Sequence, residues 1–249
     1  MIAIITGATG DIGEEFVKSL IDDVDIVWAV GRSIGKLDLL KEKYGDKVFS
    51  VVCDLSDKDS VFELCRKIDS EKPSIKYLVN NAGVAKMAPV SKFTYEEIND
   101  MIDLNAKAAT LLCRAALPYM SEGAFILNVA SASAFQPNPY IALYSASKAY
   151  LLSFTRSLNV ENKGIRCIAV CPGWVDTKML PAKDKSGKEI RYPGMCTASQ
   201  VVNAALKDAR RGRDVSVCSF YYRYMRFLSK VMPHKTVMKF WVRAIDQYL

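Results

Sequence analysis

Three glycines fall three residues apart in TGATGDIG, at Gly7, Gly10 and Gly13, directly after the apolar run IAII. A glycine that follows a buried strand can take φ > 0 and lets a phosphate approach the backbone. A helix opening at that point presents unpaired N–H groups and a partial positive charge. Together these form a pyrophosphate cradle, with Thr9, Asp11 and Ile12 beside the glycines. Gly13, inside the helix, would allow close helix–strand packing, although ordinary strand–helix corners use glycine too. The second apolar run ends in AVGRS, with no carboxylate to hold a ribose 2′-hydroxyl. Arg32 suits a 2′-phosphate and Ser33 can donate a hydrogen bond, so the pattern points to NADP(H); a solvated loop arginine is the plainer reading. Asp54 and Leu55, after the third run, could frame an adenine, and Asp54 could equally be a helix-start residue. Farther along, Tyr144 and Lys148 lie one helical turn apart on one face. A free tyrosine ionises near a pH of about 10, and a neighbouring ammonium would lower that value. The same spacing also suits an ordinary i,i+4 pair.

The elements that must carry these residues alternate along the chain. Strand-like runs IAII, VDIVWAV, KVFSVV, IKYLV, AFILNVA, IRCIAVC and VSVCSF are separated by helix-length amphipathic segments. One helix opens near Asp11, a second carries Leu37, Leu39 and Leu40, and a third, capped by Asp57, carries Val61, Leu64 and Ile68. Further helices are expected near 94–103, 105–120 and 141–162. The runs are continuously apolar, as strands buried on both faces should be. This order predicts an α/β fold: a single-domain, Rossmann-type, doubly wound parallel sheet with helices on both faces. Ligands in such sheets bind beyond the carboxyl ends of the strands, where the unusual residues collect.

Composition narrows the class. The 249 residues suffice for one large core, and no linker, repeat or low-complexity tract divides them. No run approaches the roughly 18 apolar residues of a membrane span, and no cleavable leader is apparent, so a cytoplasmic protein is expected. Seven cysteines without a CxxC pair read as reduced thiols, Cys167 and Cys171 sharing one strand face. The single histidine, His234, excludes a multi-histidine metal site.

TGATGDIG, NNAG at 80–83, Asn105, Ser131, YSASK at 144–148 and PGWVDT at 172–177 together resemble the compact short-chain dehydrogenase/reductases. The resemblance covers about the first 180 residues, which it implies form the cofactor-binding and catalytic core. It implies that Tyr144 is the general acid/base in the interconversion of a carbonyl and an alcohol. Lys148 would stabilise the phenolate and bond the nicotinamide ribose. Ser131 would donate a hydrogen bond to the substrate oxygen, and Asn105 would hold a water that relays protons from Lys148. Asn80, Asn81, Ala82 and Gly83 would shape the cofactor cleft. Pro172 and Gly173 would set a turn, with Val175 and Thr177 against the carboxamide. Ser133 is either a second substrate contact or a loop hydroxyl. One departure stands out: the compact branch places its middle glycine one residue later, where this chain has Asp11. The GxxGxxG spacing is similar to the extended branch instead. Family members are usually dimers or tetramers built on the helices around 105–120 and 141–162, so a homo-oligomer is implied.

Residues 181–249 are expected to supply a substrate lid, the last strand and basic amphipathic C-terminal helices. MLPAKDKSGKEIRYPGMC is the lid-like stretch. The charge is uneven: residues 200–249 hold ten basic and three acidic side chains, and the rest of the chain is balanced. Arg223, Arg226 and Lys230 would share one helical face, with Tyr221, Tyr224, Met225 and Leu228 on the other. Lys235, Lys239 and Arg243 would lie opposite Val237, Met238, Trp241, Ile245 and Tyr248. Three readings stay open: packing on the domain or a second subunit, lining an apolar pocket with a cationic rim, or docking on an anionic membrane. Nucleic acid is excluded because no reading motif accompanies the charge. The substrate is expected to be a bulky apolar or amphipathic carbonyl compound such as a ketosteroid, or alternatively a 3-oxoacyl thioester. A regulator that binds NADPH with little turnover is the competing class.

Overall fold

The computed structural model describes residues 1–177 and 190–245. The strands are β1 (Ile2–Thr6), β2 (Ile26–Gly31), β3 (Val48–Val52), β4 (Ile75–Asn80), β5 (Met120–Val129), β6 (Arg166–Val170), β7 (Val175–Asp176), β8 (Cys196–Thr197) and β9 (Val215–Ser216). Seven of them form one parallel sheet in the order β3-β2-β1-β4-β5-β6-β9, and β7 and β8 pair separately. The order reverses between β1 and β4, which opens a crevice above their carboxyl ends. The helices are α1 (Asp11–Leu20), α2 (Ile34–Tyr44), α3 (Lys58–Glu71), α4 (Tyr95–Ile102), α5 (Ala108–Ala116), α6 (Ala142–Glu161), α7 (Ala198–Arg210), α8 (Phe220–Val231) and α9 (His234–Ile245).

Side chains alternate across the sheet, so each central strand feeds two cores. Ile5, Val79, Leu127 and Ile168 pack with Phe16 and Leu20 of α1 and Val201 and Leu206 of α7. Ile4, Leu78 and Ile126 face the other way, onto Leu64 and Ile68 of α3, Leu112 of α5 and Leu158 of α6. The expected doubly wound architecture is therefore present. Asp57 caps α3 by accepting from the Ser60 N–H at 3.0 Å. Edge strand β3 departs from continuous burial: Phe49 and Val52 are exposed, and the Lys67 ammonium of α3 lies 5.1 Å from the Phe49 ring centre.

Gly13 shows why a glycine opens this helix. A Cβ there would lie 2.0 Å from the Gly7 carbonyl oxygen, so α1 can rest on the preceding turn only without a side chain. Gly13→Ala must push backbone away from backbone, and a loss of at least about 1–3 kcal/mol is expected. Thermal unfolding checks this, and an unchanged midpoint would mean that the turn yields freely.

Three expectations are corrected. The helices near 94–103 and 105–120 form one continuous rod, α4 and α5 joined by a π-helical turn over Asp103–Lys107. Cys196 and Cys218, expected as reduced thiols, form a disulfide that ties the start of α7 to the segment before α8; the other five cysteines are free. On α8 the expected faces hold only in part: Arg223 and Lys230 are exposed and Met225 and Leu228 half-buried, as expected, but Tyr221 and Tyr224 are exposed and Arg226 is half-buried. With aromatic residues all around this helix, Phe135 decides the rotation: the Arg226 guanidinium lies 5.4 Å from its ring centre. Most of the lid-like stretch, residues 179–189, and Tyr248 lie outside the described residues.

Candidate active site

The glycine-rich turn leaves β1 with Gly7 at φ +60°, and Gly10 precedes α1. Asn81 braces this turn. Its side-chain amide donates to the carbonyls of Thr6 and Gly7, both at 3.1 Å, and the Thr6 hydroxyl receives the Asn81 and Ala82 N–H groups. A Cβ on Gly10 would meet only the Gly7 carbonyl oxygen, at 3.5 Å, so the turn is open on that side. Ile12 is half-buried beside this turn. Thr9 faces Gly31 at the end of β2, and Asp11 is exposed in the first turn of α1. Arg32 is 70% exposed at the same rim, 4.0 Å from the Asp54 carboxylate. Ser33 precedes α2 and is exposed. Burial alone would raise the Asp54 pKa, but hydrogen bonds from Ser56 and the charge of Arg32 hold it below the ordinary carboxylate value. Cradle, cation and open turn lie at one end of the sheet and together fit a phosphorylated dinucleotide.

The reactive residues gather over the neighbouring strands. Ser131 lies two residues past the end of β5, and Tyr144 and Lys148 lie in the first two turns of α6. Ser131 hydrogen-bonds to Tyr144 and also accepts the Ser133 N–H at 3.2 Å. The Lys148 ammonium lies 5.8 Å from the Tyr144 ring centre and donates to the Val129 carbonyl at 2.8 Å. Burial pushes the Tyr144 pKa up, opposed by the Ser131 hydrogen bond, and pushes Lys148 down to about 8. The expected lowering of Tyr144 by Lys148 is thus overtaken by desolvation, which disfavours each charged form. The thiol of Cys171, buried beside both groups, is pushed up to about 12 by the same cause.

Asn105 lies in the π-helical turn, a deviation frequent at functional sites. Its amide donates to the Val84 carbonyl and accepts the Val84 N–H, both at 2.9 Å. A Cβ on Gly83 would come within 3.1 Å of both Asn105 Oδ1 and Lys148 Nζ, so these three residues meet at one point. Ala82 and Gly83 are half-buried at the crevice floor.

Residues 1–188 match the short chain dehydrogenase family. The protein is a member of that family. Along 98% of its length this short-chain dehydrogenase is 30% identical to the very-long-chain 3-oxoacyl-CoA reductase of Anas platyrhynchos, covering 80% of that protein. Over 70% of its length it is 33% identical to the NADP-dependent 3-hydroxy acid dehydrogenase YdfG of Escherichia coli (strain K12), covering 73% of it. Among solved structures, a short-chain dehydrogenase from Sphingobium yanoikuyae in complex with NADPH is 25% identical, with a TM-score of 0.78 over 96% of this chain and 95% of that one. As a short-chain dehydrogenase the protein is an oxidoreductase, which sets aside the non-enzymatic regulator reading.

Other expected site residues fall differently. Asn80 is buried beneath the crevice, donating to Asn128 at 2.8 Å, so it braces β4 against β5. Leu55 and Val175 bury their side chains in the two cores. Thr177 is half-buried just past β7. The Pro172 carbonyl accepts the Ala132 N–H at 2.7 Å, which joins the PG turn to the Ser131 segment. The Ser133 hydroxyl is buried without a hydrogen-bond partner among the described residues.

Sequence reasoning placed Trp241 on an apolar helix face but named neither its partner nor Tyr222 and Asn138, which the structure adds around the site. A Cβ on Gly173 would fall inside the Tyr222 ring, so the inner face of α8 lies directly on the PG turn. Trp241 of α9 donates its indole N–H to the Pro139 carbonyl at 2.9 Å. Buried Asn138 pins the intervening loop by donating to Ser133 and Gln136 carbonyls. These contacts span up to 102 residues, and no local pattern signals them.

Proposed function

We propose that the protein is an NADPH-dependent reductase of bulky, largely apolar carbonyl compounds, ketosteroid-like in shape, which also runs the reverse oxidation. The observation that carries this reading is the convergence of Ser131, Tyr144 and Lys148 beside Cys171, against whose apolar cluster the rings of Phe135 and Tyr222 pack. NADPH supplies the hydride when bound. Gly7, Thr9, Gly10, Ile12 and Gly13 would hold its pyrophosphate, with Asp11 at the rim, and Arg32 and Ser33 its 2′-phosphate. Backbone at Asp54, Leu55, Asn81, Ala82, Gly83, Pro172, Gly173, Val175 and Thr177 would border the rest. Tyr144, neutral at physiological pH at its ordinary value of 10.0 and held further above it by burial, gives its hydroxyl proton to the carbonyl oxygen. Ser131 orients that oxygen, and Lys148 returns the proton. Asn105 fixes the Val84 backbone and so the position of Gly83 beside Lys148.

A 3-oxoacyl thioester is the second reading. It is supported by the likeness to a very-long-chain 3-oxoacyl-CoA reductase, which continues through the C-terminal helices. NADPH consumption on a panel of steroid ketones, 3-oxoacyl thioesters and small aldehydes separates the two. Turnover confined to small aldehydes would refute both. A homo-oligomer built on α5 and α6 accompanies the proposal, and sedimentation at the mass of one chain would exclude it.

Arg32→Ala is expected to weaken NADPH binding about ten- to hundredfold, the effect of a lost charge-assisted contact. NADH binding should change little. Titration with both cofactors checks this, and equal weakening would remove Arg32 from the 2′-phosphate.

A further inference from the structure

We propose that the outward face of the two C-terminal helices docks on an anionic lipid bilayer. The inner face of α8 is committed to the domain through Tyr222, Arg226 and buried Ser229. The opposite face carries Phe220, Tyr224, Phe227 and Val231, spaced i, i+4, i+7 and i+11, which is one line along a helix. They are 81%, 52%, 59% and 60% exposed. Phe240 of α9, 57% exposed, extends the patch. A helix that only packed on its own domain would turn polar residues outward here.

Charge decides what covers this face. Arg223, Lys230, Lys235, Lys239 and Arg243 are all exposed around it. From Val215 to Ile245 the sequence has no Asp or Glu. Two copies of the face set against each other would oppose cations without a carboxylate between them, which disfavours a second copy. Aromatic side chains sunk to headgroup level, with Lys and Arg reaching phosphates around them, are the chemistry of an interfacial helix. No helix among the described residues is long and apolar enough to cross a membrane, so the contact lies on the surface. Because the inner face of α8 rests on the PG turn, docking would set the mouth of the crevice beside the lipid.

The test is co-sedimentation of the full chain with vesicles of phosphatidylcholine alone, or of phosphatidylcholine mixed with phosphatidylserine. Binding is expected for the mixed vesicles, weakened by salt and by about fivefold for each cation removed near the surface, as in Lys230→Gln. Phe220→Ser with Phe227→Ser should reduce binding at least about tenfold at an unchanged unfolding midpoint, since both rings sit in water in the free protein. Equal binding to both vesicle types, no binding to either, or full binding by the double variant would overturn the proposal. So would a dimer in sedimentation equilibrium that the double variant converts to a monomer, because that result assigns the face to a second copy.

Discussion

Tyr144→Phe is expected to lower kcat for carbonyl reduction by ~10²–10⁴-fold while leaving NADPH binding nearly unchanged. The substitution removes a single oxygen from the start of α6. That oxygen is the one hydrogen-bonded to Ser131, so the variant loses the proton donor and keeps the packing. The direction of the pKa shift adds a second, independent signature. With the phenol held above its ordinary value of 10.0, it is the proton-bearing form at neutral pH, as reduction requires. Oxidation of an alcohol needs the phenolate, so the wild-type oxidation rate should climb on the alkaline side. Tyr144→Phe should flatten that limb. Single-turnover rates in both directions across pH make the measurement. If the variant kept most of the wild-type rate, the proton would have to come from another group, and Tyr144 would lose its role as the acid.

The parts of this site that could be read in the sequence are those whose geometry is local. Tyr144 and Lys148 share a face because a helix repeats every 3.6 residues, and any sequence with that spacing on a helix shows it. Gly7, Gly10 and Gly13 announce a strand–turn–helix corner for the same reason. Ser131 was named through the family resemblance, and its place at a strand's carboxyl end followed from the apolar run that stops just before it. Asn105 could be named, but its partners could not. The π-helical turn that aims its amide at Val84 comes from packing between α4, α5 and α6, and no residue between 103 and 107 encodes it alone. The orientation of α8 was hidden for a different reason. A helix with aromatic residues on opposite faces has no single apolar stripe, so periodicity offers two rotations and only the tertiary contacts of Tyr222 and Arg226 choose. The Cys196–Cys218 bond likewise depends on α7 and α8 being brought together by the sheet, across a separation of 22 residues.

Lys148→Met should abolish turnover and also expose the energetic cost of building the site. Lys148 is 3% exposed, and burial drops its pKa from 10.5 to about 8, with nearby Cys171 opposing the drop. The unfolded chain keeps the ordinary value, so between pH 8 and 10.5 it binds more protons than the native state, and wild-type stability rises with pH across that window. Below it, the native protein must hold a desolvated ammonium or release its proton, a penalty of about 3 kcal/mol at one pKa unit per 1.36 kcal/mol. Methionine fills similar space and carries no charge, so the variant lacks this dependence. It also leaves the Val129 carbonyl without its donor, which costs about 1–3 kcal/mol at every pH. The informative quantity is therefore the difference between the two proteins. Urea unfolding should show the variant losing about 3 kcal/mol relative to wild type between neutral pH and pH 10.5. A difference independent of pH would show that Lys148 titrates as it does in water. In the proposed mechanism, a lysine lowered to about 8 by burial would give and take a proton under Tyr144 more readily than an ordinary lysine, which stays charged at every working pH.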